Sequence, residues 1–114
     1  MYIGHVDNVK KEEISVEGIK GTRIQWLLAQ KEHVPHFYMR YVTIEPGGVI
    51  PLHSHNYIHE IFVVKGRGAV LSKNGGTTIE AGSFIYMPSN KVHGTKNTGS
   101  GNLEFICCIN KQQE

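Results

Sequence analysis

The amino-acid sequence predicts an all-β fold: a small antiparallel β-barrel or jelly-roll sandwich. Short segments rich in β-branched and aromatic residues recur along the chain, and clusters of Gly, Pro, Asn and Ser separate them. No segment repeats apolar residues at i, i+3, i+4 and i+7, so we expect no helix longer than a turn or two. Many short strands at this spacing are typical of a sandwich or a barrel.

The expected strands follow one another with turn sequences between them. In chain order they are 23–29, 37–45, 59–65, 68–72, 77–80, 83–87 and 102–109. Asn74-Gly75 is the strongest hairpin signal, because both residues tolerate a positive φ. Residues 25–29 are compatible with a helix by composition, but their β-type neighbours favour a strand.

Length and charge limit the function classes. The 114 residues fit one domain, 1–114, in which residues 1–21 are expected to form an N-terminal arm or strand. A net charge of +2 without a basic stripe argues against a nucleic-acid partner. The apolar runs are too short to cross a membrane, and residues 1–13 lack the apolar stretch of a secretory signal, so the expected location is cytoplasmic.

Two expected strands, around 61–64 and 105–109, are apolar on both faces. One face can fill the barrel, and the other then needs a second layer or a second subunit, which favours a homodimer. The only cysteines, Cys107 and Cys108, are neighbours whose side chains alternate between the faces of a strand, so no disulfide framework is expected.

Four of the seven histidines lie between positions 53 and 93. His53 and His55 have i, i+2 spacing, which in a strand places both rings on one face about 6.5–7 Å apart. Two such imidazoles can bind one ion at about 2.0–2.3 Å per bond. His59, at the start of the next strand, and His93, after the turn 88–90, supply two further nitrogens. We therefore predict a metal site.

The spacing around these histidines resembles the two motifs of the cupin superfamily. The first motif is matched by a glycine, five residues, His-x-His, three residues, a third histidine, six residues and a glycine: Gly47, His53, His55, His59 and Gly66. The second is matched by a glycine, five residues, Pro-x-Asn, two residues, a histidine, three residues and an asparagine: Gly82, Pro88, Asn90, His93 and Asn97. Residues 47–97 cover both motifs, and the 15 residues between them are the short gap of the smallest cupins.

The chain departs from the cupin motifs at two positions. Asn90 stands where the family has glycine, and Asn tolerates the left-handed φ of that turn. His59 stands where the family usually has a glutamate ligand, and Glu60 follows it directly. Adjacent strand residues face opposite ways, so only one of the pair reaches the metal. The six-residue gap to Gly66, and a resemblance to small cupins with all-histidine manganese-type sites, favour His59, with Glu60 as the alternative.

The resemblance implies one divalent transition metal, manganese first and then iron. Zn, Ni, Co and Cu also suit imidazole ligands. It implies a small-molecule ligand and, as the first hypothesis, a metal-dependent oxidoreductase of the dioxygenase type that acts on a small chelating substrate. The alternative is a non-enzymatic module that binds metal or a small ligand. Sugar isomerase or epimerase chemistry ranks last, because it asks for several basic residues that converge on a phosphate.

No residue stands out in the sequence as a separate catalytic acid or base. Three residues are candidates for the pocket wall: Phe105, Cys107 and Arg40. If every second residue from Leu103 to Ile109 faces the barrel interior, Cys107 approaches the metal pocket.

Overall fold

The computed structural model of the protein describes residues 1–111. Strands occupy most of them: β1 (Glu12–Glu13), β2 (Lys20–Leu28), β3 (Phe37–His53), β4 (His59–Lys65), β5 (Arg67–Ser72), β6 (Gly75–Glu80), β7 (Phe84–Met87), β8 (His93–Asn97) and β9 (Leu103–Asn110). The helical segments in this part of the chain are two single 3-10 turns, Val6–Asn8 and Gln30–Glu32. Neither is long and apolar enough to span a membrane.

All strand pairs are antiparallel and belong to one curled sheet. The order across it is β6-β5-β8-β3-β9-β4-β7, and β2 pairs with both β3 and β1. The right-handed twist that accumulates between strands curls such a sheet into a barrel with an inner and an outer face. The predicted all-β barrel or jelly-roll fold is confirmed.

Strand β3 is the longest and joins two parts of the barrel. Its first half pairs with β9, from Phe37 opposite Asn110 to Ile44 opposite Leu103, and its second half pairs with β8. The prediction that this strand ends at residue 45 is wrong. Gly47 has φ 81° and a Cβ on Gly48 would lie 2.7 Å from the Ile44 side chain, so the glycines bend the strand where other residues would clash. It continues because β8 offers a new partner.

The short polar strand β8 is absent from the sequence prediction. Its residues, His-Gly-Thr-Lys-Asn, include few strong β-formers. Pairing with β3 on one side and β5 on the other keeps it extended, so its conformation depends on long-range partners. The turn before it contains Asn90 at φ 64°, the left-handed conformation expected where the family has glycine.

The N-terminal residues pack against their own chain. Strand β1 pairs with β2 through Glu12 opposite Ile24. The buried side chain of Gln25 donates hydrogen bonds to the carbonyl oxygens of Val6 (2.8 Å) and Val9 (3.0 Å). These bonds hold the first 3-10 turn against β2.

The core lies on the inner face of the barrel, and β9 contributes most to it. Leu103, Phe105, Cys107 and Ile109 are each at most 4% exposed, and they alternate with half-buried residues. The alternation proposed for this strand is therefore present. Because Cys107 shares the inner face with these core residues, it borders the interior cavity that contains the histidines.

Candidate metal centre

Four histidine rings meet at one side of the interior cavity. Ring centroids are 4.6 Å apart for His53 and His93, 4.9 Å for His55 and His93, and 4.4 Å for His55 and His59. One ring nitrogen from each of His53, His55 and His93 lies within 4.8 Å of the other two. His59 joins the cluster through its Nε2, which is 2.7 Å from Nε2 of His55.

Strand ends and one loop position these rings. His53 is the last residue of β3 and lies opposite His93, the first residue of β8. His59 begins β4. The expectation that His53 and His55 share one strand is wrong, because β3 ends at His53 and His55 lies in the loop that follows. Tyr57 supports its ring instead, stacked at 3.9 Å with an interplanar angle of 4°.

Three of the rings are oriented by backbone carbonyl groups of their own segments. Nδ1 of His53 lies 2.8 Å from the Pro51 oxygen, and Nδ1 of His55 lies 3.0 Å from the Tyr57 oxygen. Nδ1 of His93 lies 2.7 Å from the Lys91 oxygen.

A carbonyl oxygen only accepts hydrogen bonds, so each of these Nδ1 atoms carries the proton. Each Nε2 therefore keeps a free lone pair for the cluster.

This donor set fits a divalent transition metal. Neutral imidazole nitrogens are ligands for Mn, Fe, Co, Ni, Cu and Zn. The lone pair on Nε2 of His55 faces Nε2 of His59 at only 2.7 Å. Two such nitrogens repel each other unless a proton or a cation lies between them. His53, His55 and His93 could hold the ion, and His59 lies beside them.

His59 differs from the other three because side chains, not carbonyls, contact its Nδ1. Cys107 Sγ lies 2.8 Å from this atom, and Arg40 Nη2 lies 3.3 Å from it. Arg40 can only donate hydrogen bonds, whereas the sulfur can also accept. If Nε2 of His59 binds a metal, its Nδ1 must carry the proton, and only the Cys107 sulfur can accept it.

Burial lowers the pKa of three imidazoles of the cluster, those of His55, His59 and His93. The pKa of His59 is lowered to about 3, and the positive charge of Arg40 acts in the same direction. The pKa of the Cys107 thiol is raised by burial despite the opposing effect of Arg40. Near neutral pH, these imidazoles are therefore unprotonated and the thiol keeps its proton.

The four rings open onto a cavity of about 280 Å³. All three residues proposed for the pocket wall, Phe105, Cys107 and Arg40, line it. Among the residues that the structure describes, those lining the cavity include no Asp or Glu. The other residues of the wall are Ile14, Ile19, Thr22, Ile24, Val42, Ile50, Tyr57, Ile61 and Thr95.

Glu60, the alternative ligand, does not reach the cluster. Its side chain is exposed and lies on the outer face of β4, in a groove with Phe62 and Tyr86. The second-motif asparagine, Asn97, stabilises a turn. Its side chain donates to the carbonyl oxygens of Ile44 and Gly101, each at 2.8 Å. Sequence reasoning missed Tyr57, since a loop tyrosine carries no motif signal.

The protein is a small antiparallel β-barrel with a histidine cluster beside its interior cavity. Comparison with known proteins identifies the family of such barrels to which it belongs. Residues 40–109 match the family described as the cupin domain. The chain therefore belongs to the cupin family.

Named relatives match part of the chain. The oxalate-binding protein of Thermotoga maritima is 31% identical over 69 residues, which cover 60% of this chain and 57% of that protein. Auxin-binding protein 1 of Arabidopsis thaliana is 35% identical over a segment that covers 60% of this chain and 39% of that protein. This chain thus spans about half the length of the relatives it matches.

A solved structure shows the same fold over nearly the whole chain. The polyketide cyclase RemF from Streptomyces resistomycificus superposes with a TM-score of 0.92 at 23% identity, covering 98% of this chain and 80% of that one. At this level of identity the likeness concerns the fold alone.

The low pKa of His59 predicts that the metal-free protein loses stability in acid. The unfolded chain takes up a proton on His59 as the pH falls through its ordinary pKa of 6.5, whereas the folded chain does so only near 3. Between these values the unfolded state binds more protons, so the free energy of unfolding falls as the pH is lowered. Urea unfolding at about pH 7 and about pH 4.5 should show a smaller loss in His59→Gln than in the wild type.

The matched control for this comparison is His36→Gln, which changes an exposed histidine outside the cluster. It should lose as much stability as the wild type over the same pH range. Equal losses in His59→Gln and His36→Gln would contradict the prediction.

Proposed function

We propose that this cupin is a metal-dependent oxidoreductase of the dioxygenase type that acts on a small chelating substrate. The observation that supports it best is the convergence of four imidazole rings, from His53, His55, His59 and His93, on the wall of a cavity of about 280 Å³. Four nitrogen ligands on an ion that prefers six leave two positions for exogenous ligands. A bound divalent ion of this kind supplies Lewis-acid and redox chemistry to O₂ and to a chelated substrate.

The protein's own residues orient the ligands and shape the cavity. The carbonyl groups of Pro51, Tyr57 and Lys91 determine which nitrogen of each ring faces inward. Phe105 and the isoleucines of the wall make most of the cavity apolar, which limits water around a bound substrate. Dioxygenation adds both atoms of O₂ to the substrate and therefore needs no external electron donor. Manganese, with iron second, and a cytoplasmic location stay predictions from the sequence.

A small chelating ligand agrees with one relative. The Thermotoga maritima protein is named for binding oxalate, a small molecule with two adjacent carboxylates. The cavity size agrees as well, since about 280 Å³ accommodates only a small organic molecule.

A non-enzymatic ligand-binding module is the second candidate. It is favoured by the absence of Asp and Glu from the described residues that line the cavity, which leaves no carboxylate as a general base. Sugar-phosphate chemistry ranks last. Of the three arginines, only Arg40 lines the cavity. Arg23 instead pairs with Glu45 at 2.6 Å, and Arg67 pairs with Glu80 at 3.8 Å.

Histidine variants test the ligand set. Protein purified without an affinity tag should contain about one divalent ion per chain by elemental analysis. His93→Ala and His59→Ala should each weaken the affinity for Mn²⁺ at least about 100-fold, because each removes a ligand. His36→Ala, outside the cluster, should bind like the wild type.

Glu60→Gln separates the two candidates for the third ligand of the first motif. It should keep the metal, because Glu60 faces outward. Metal loss in Glu60→Gln together with retention in His59→Ala would contradict the assignment.

Oxygen consumption tests the reaction class. Protein loaded with Mn²⁺ or Fe²⁺ and offered a panel of small diols, diketones and hydroxy acids should consume one O₂ per substrate molecule. With ¹⁸O₂, both labelled atoms should appear in the organic product. The uptake should be lost in His93→Ala. Binding of metal and of panel compounds without any O₂ uptake would overturn the dioxygenase assignment and favour the binding module.

We further propose that two copies pair through the outer face of β4 and β7. Phe62 and Phe84 lie opposite each other on this face and are 50% and 84% exposed, and Tyr86 beside them is 61% exposed. Ile106 lies opposite Phe62 on the neighbouring strand β9 and continues the apolar strip. Such a patch is costly to leave in water.

Sedimentation velocity tests this pairing. The wild type should sediment as a dimer at micromolar concentration. Phe84→Ser should shift it to the monomer, while Phe37→Ser, an exposed phenylalanine at the start of β3, should not. A monomeric wild type would refute the pairing.

A further inference from the structure

One cationic side chain in the cavity, that of Arg40, has no counter-charge among residues 1–111. Arg40 is 8% exposed and lines the same cavity as the four histidines. Its Nε is buried and has no hydrogen-bond partner among residues 1–111. The contacts of the guanidinium run through Nη2, to Cys107 Sγ at 3.0 Å and to His59 Nδ1 at 3.3 Å. Much of its donor capacity is therefore unused.

In the part of the chain that the structure describes, no ion pair involves Arg40, whereas Arg23 and Arg67 each contact a glutamate. The Trp26 ring, 5.5 Å from the guanidinium carbon, offsets part of the cost of burial by a cation–π interaction. Removing an unpaired charge from water remains strongly unfavourable, and buried charges are normally paired.

A purely structural role does not account for this arrangement. Orienting His59 or Cys107 requires only one N–H group, and a neutral donor would serve without the cost of a buried charge. A guanidinium is a planar fork of N–H donors that matches the two oxygens of a carboxylate. It is the side chain best suited to recognise a small carboxylate inside a cavity whose described lining residues include no Asp or Glu.

From this placement we infer that Arg40 selects an anionic ligand for the cavity: a small carboxylic acid with a second oxygen beside the carboxylate, such as a 2-hydroxy or 2-oxo acid. The guanidinium binds the negative charge, and the oxygens chelate the ion held by the histidines. The apolar side chains of Val42, Ile61 and Phe105 border the same space and suit a short hydrocarbon body. This inference rests on the proposed metal site and names the substrate class of that site.

Lactate and lactamide make a matched pair of probes. They have nearly the same size and both offer two chelating oxygens, but only lactate carries a charge. In ¹⁵N-labelled protein, the Nε–H signal of Arg40 can be identified by its loss in Arg40→Lys. We expect lactate to shift this signal saturably in the Zn²⁺-loaded protein, and more weakly in the metal-free protein, while lactamide leaves it in place. No lactate-specific shift in either form would overturn the inference.

Calorimetric titration of variants measures the contribution of Arg40. The metal itself prefers a carboxylate to an amide, so the quantity compared is the ratio of the lactate and lactamide affinities. Arg40→Met should lower this ratio about tenfold, the effect of losing a charge-assisted hydrogen bond. Arg67→Met, which removes the same charge from an exposed arginine, should leave the ratio unchanged. An unchanged ratio in Arg40→Met would refute the inference. If Arg40→Met does not fold, the response of the Arg40 Nε–H signal to lactate and lactamide in the wild-type protein decides whether the inference holds.

The experiment separates failure of this inference from failure of the proposed metal site. If Zn²⁺ binds and both probes bind without moving the Arg40 signal, the metal site stands and the anion selectivity is wrong. If Zn²⁺ does not bind but lactate still shifts the signal in the metal-free protein, the anion site stands and the proposed metal chemistry is wrong.

Discussion

Hydrogen bonds from three imidazole Nδ1 atoms to nearby backbone carbonyls are the constraint on which the site depends. Each lies between 2.7 and 3.0 Å and joins a histidine to a residue only two positions away. Because a carbonyl accepts and never donates, the proton of each ring is fixed on the outward nitrogen. The barrel then brings the inward nitrogens together, at the ends of β3 and β8 and in the loop before β4. Without these hydrogen bonds the three rings could rotate, and their Nε2 atoms would no longer point toward one another.

The sequence predicted the fold well where local signals were strong. Alternation along β9 identified its inner face. All seven expected strands occur: the strand 59–65 has the expected ends, and each of the other six is shifted at one end or both. The prediction failed where pairing with distant strands determines whether a segment is extended. Strand β8 is too polar to be recognised alone, since it is extended only because β3 and β5 hydrogen-bond to its two edges. The expected strand ends at residue 45, before Gly47 and Gly48, whereas in the structure β3 continues past these glycines because its second half pairs with β8.

For the site, motif spacing was sufficient to name the four histidines that come together, but not their contacts. The ring of His55 stacks on Tyr57, and nothing in the sequence singles out this tyrosine for that contact. Strand alternation indicates that only one of His59 and Glu60 faces inward, and the gap to Gly66 favours His59; in the structure His59 is buried and Glu60 is exposed. Arg40 was a candidate for the wall on strand position alone. That it has no acidic partner within residues 1–111 is a property of three-dimensional packing, which no spacing rule reports.

The contrast between His59 and the other three histidines has an evolutionary consequence. Backbone carbonyl groups orient three of the rings, so exchanges of wall side chains other than Tyr57, which stacks on His55, leave these hydrogen bonds in place. The fourth, His59, is held by the Cys107 sulfur, which also accepts a hydrogen bond from Arg40, and these two residues come from distant parts of the sequence. Substitutions of Cys107 or Arg40 would therefore affect a bound ion through only one ligand, His59. Substitutions elsewhere in the wall can therefore change which organic ligand the barrel binds while the metal ligands oriented by the main chain stay in place.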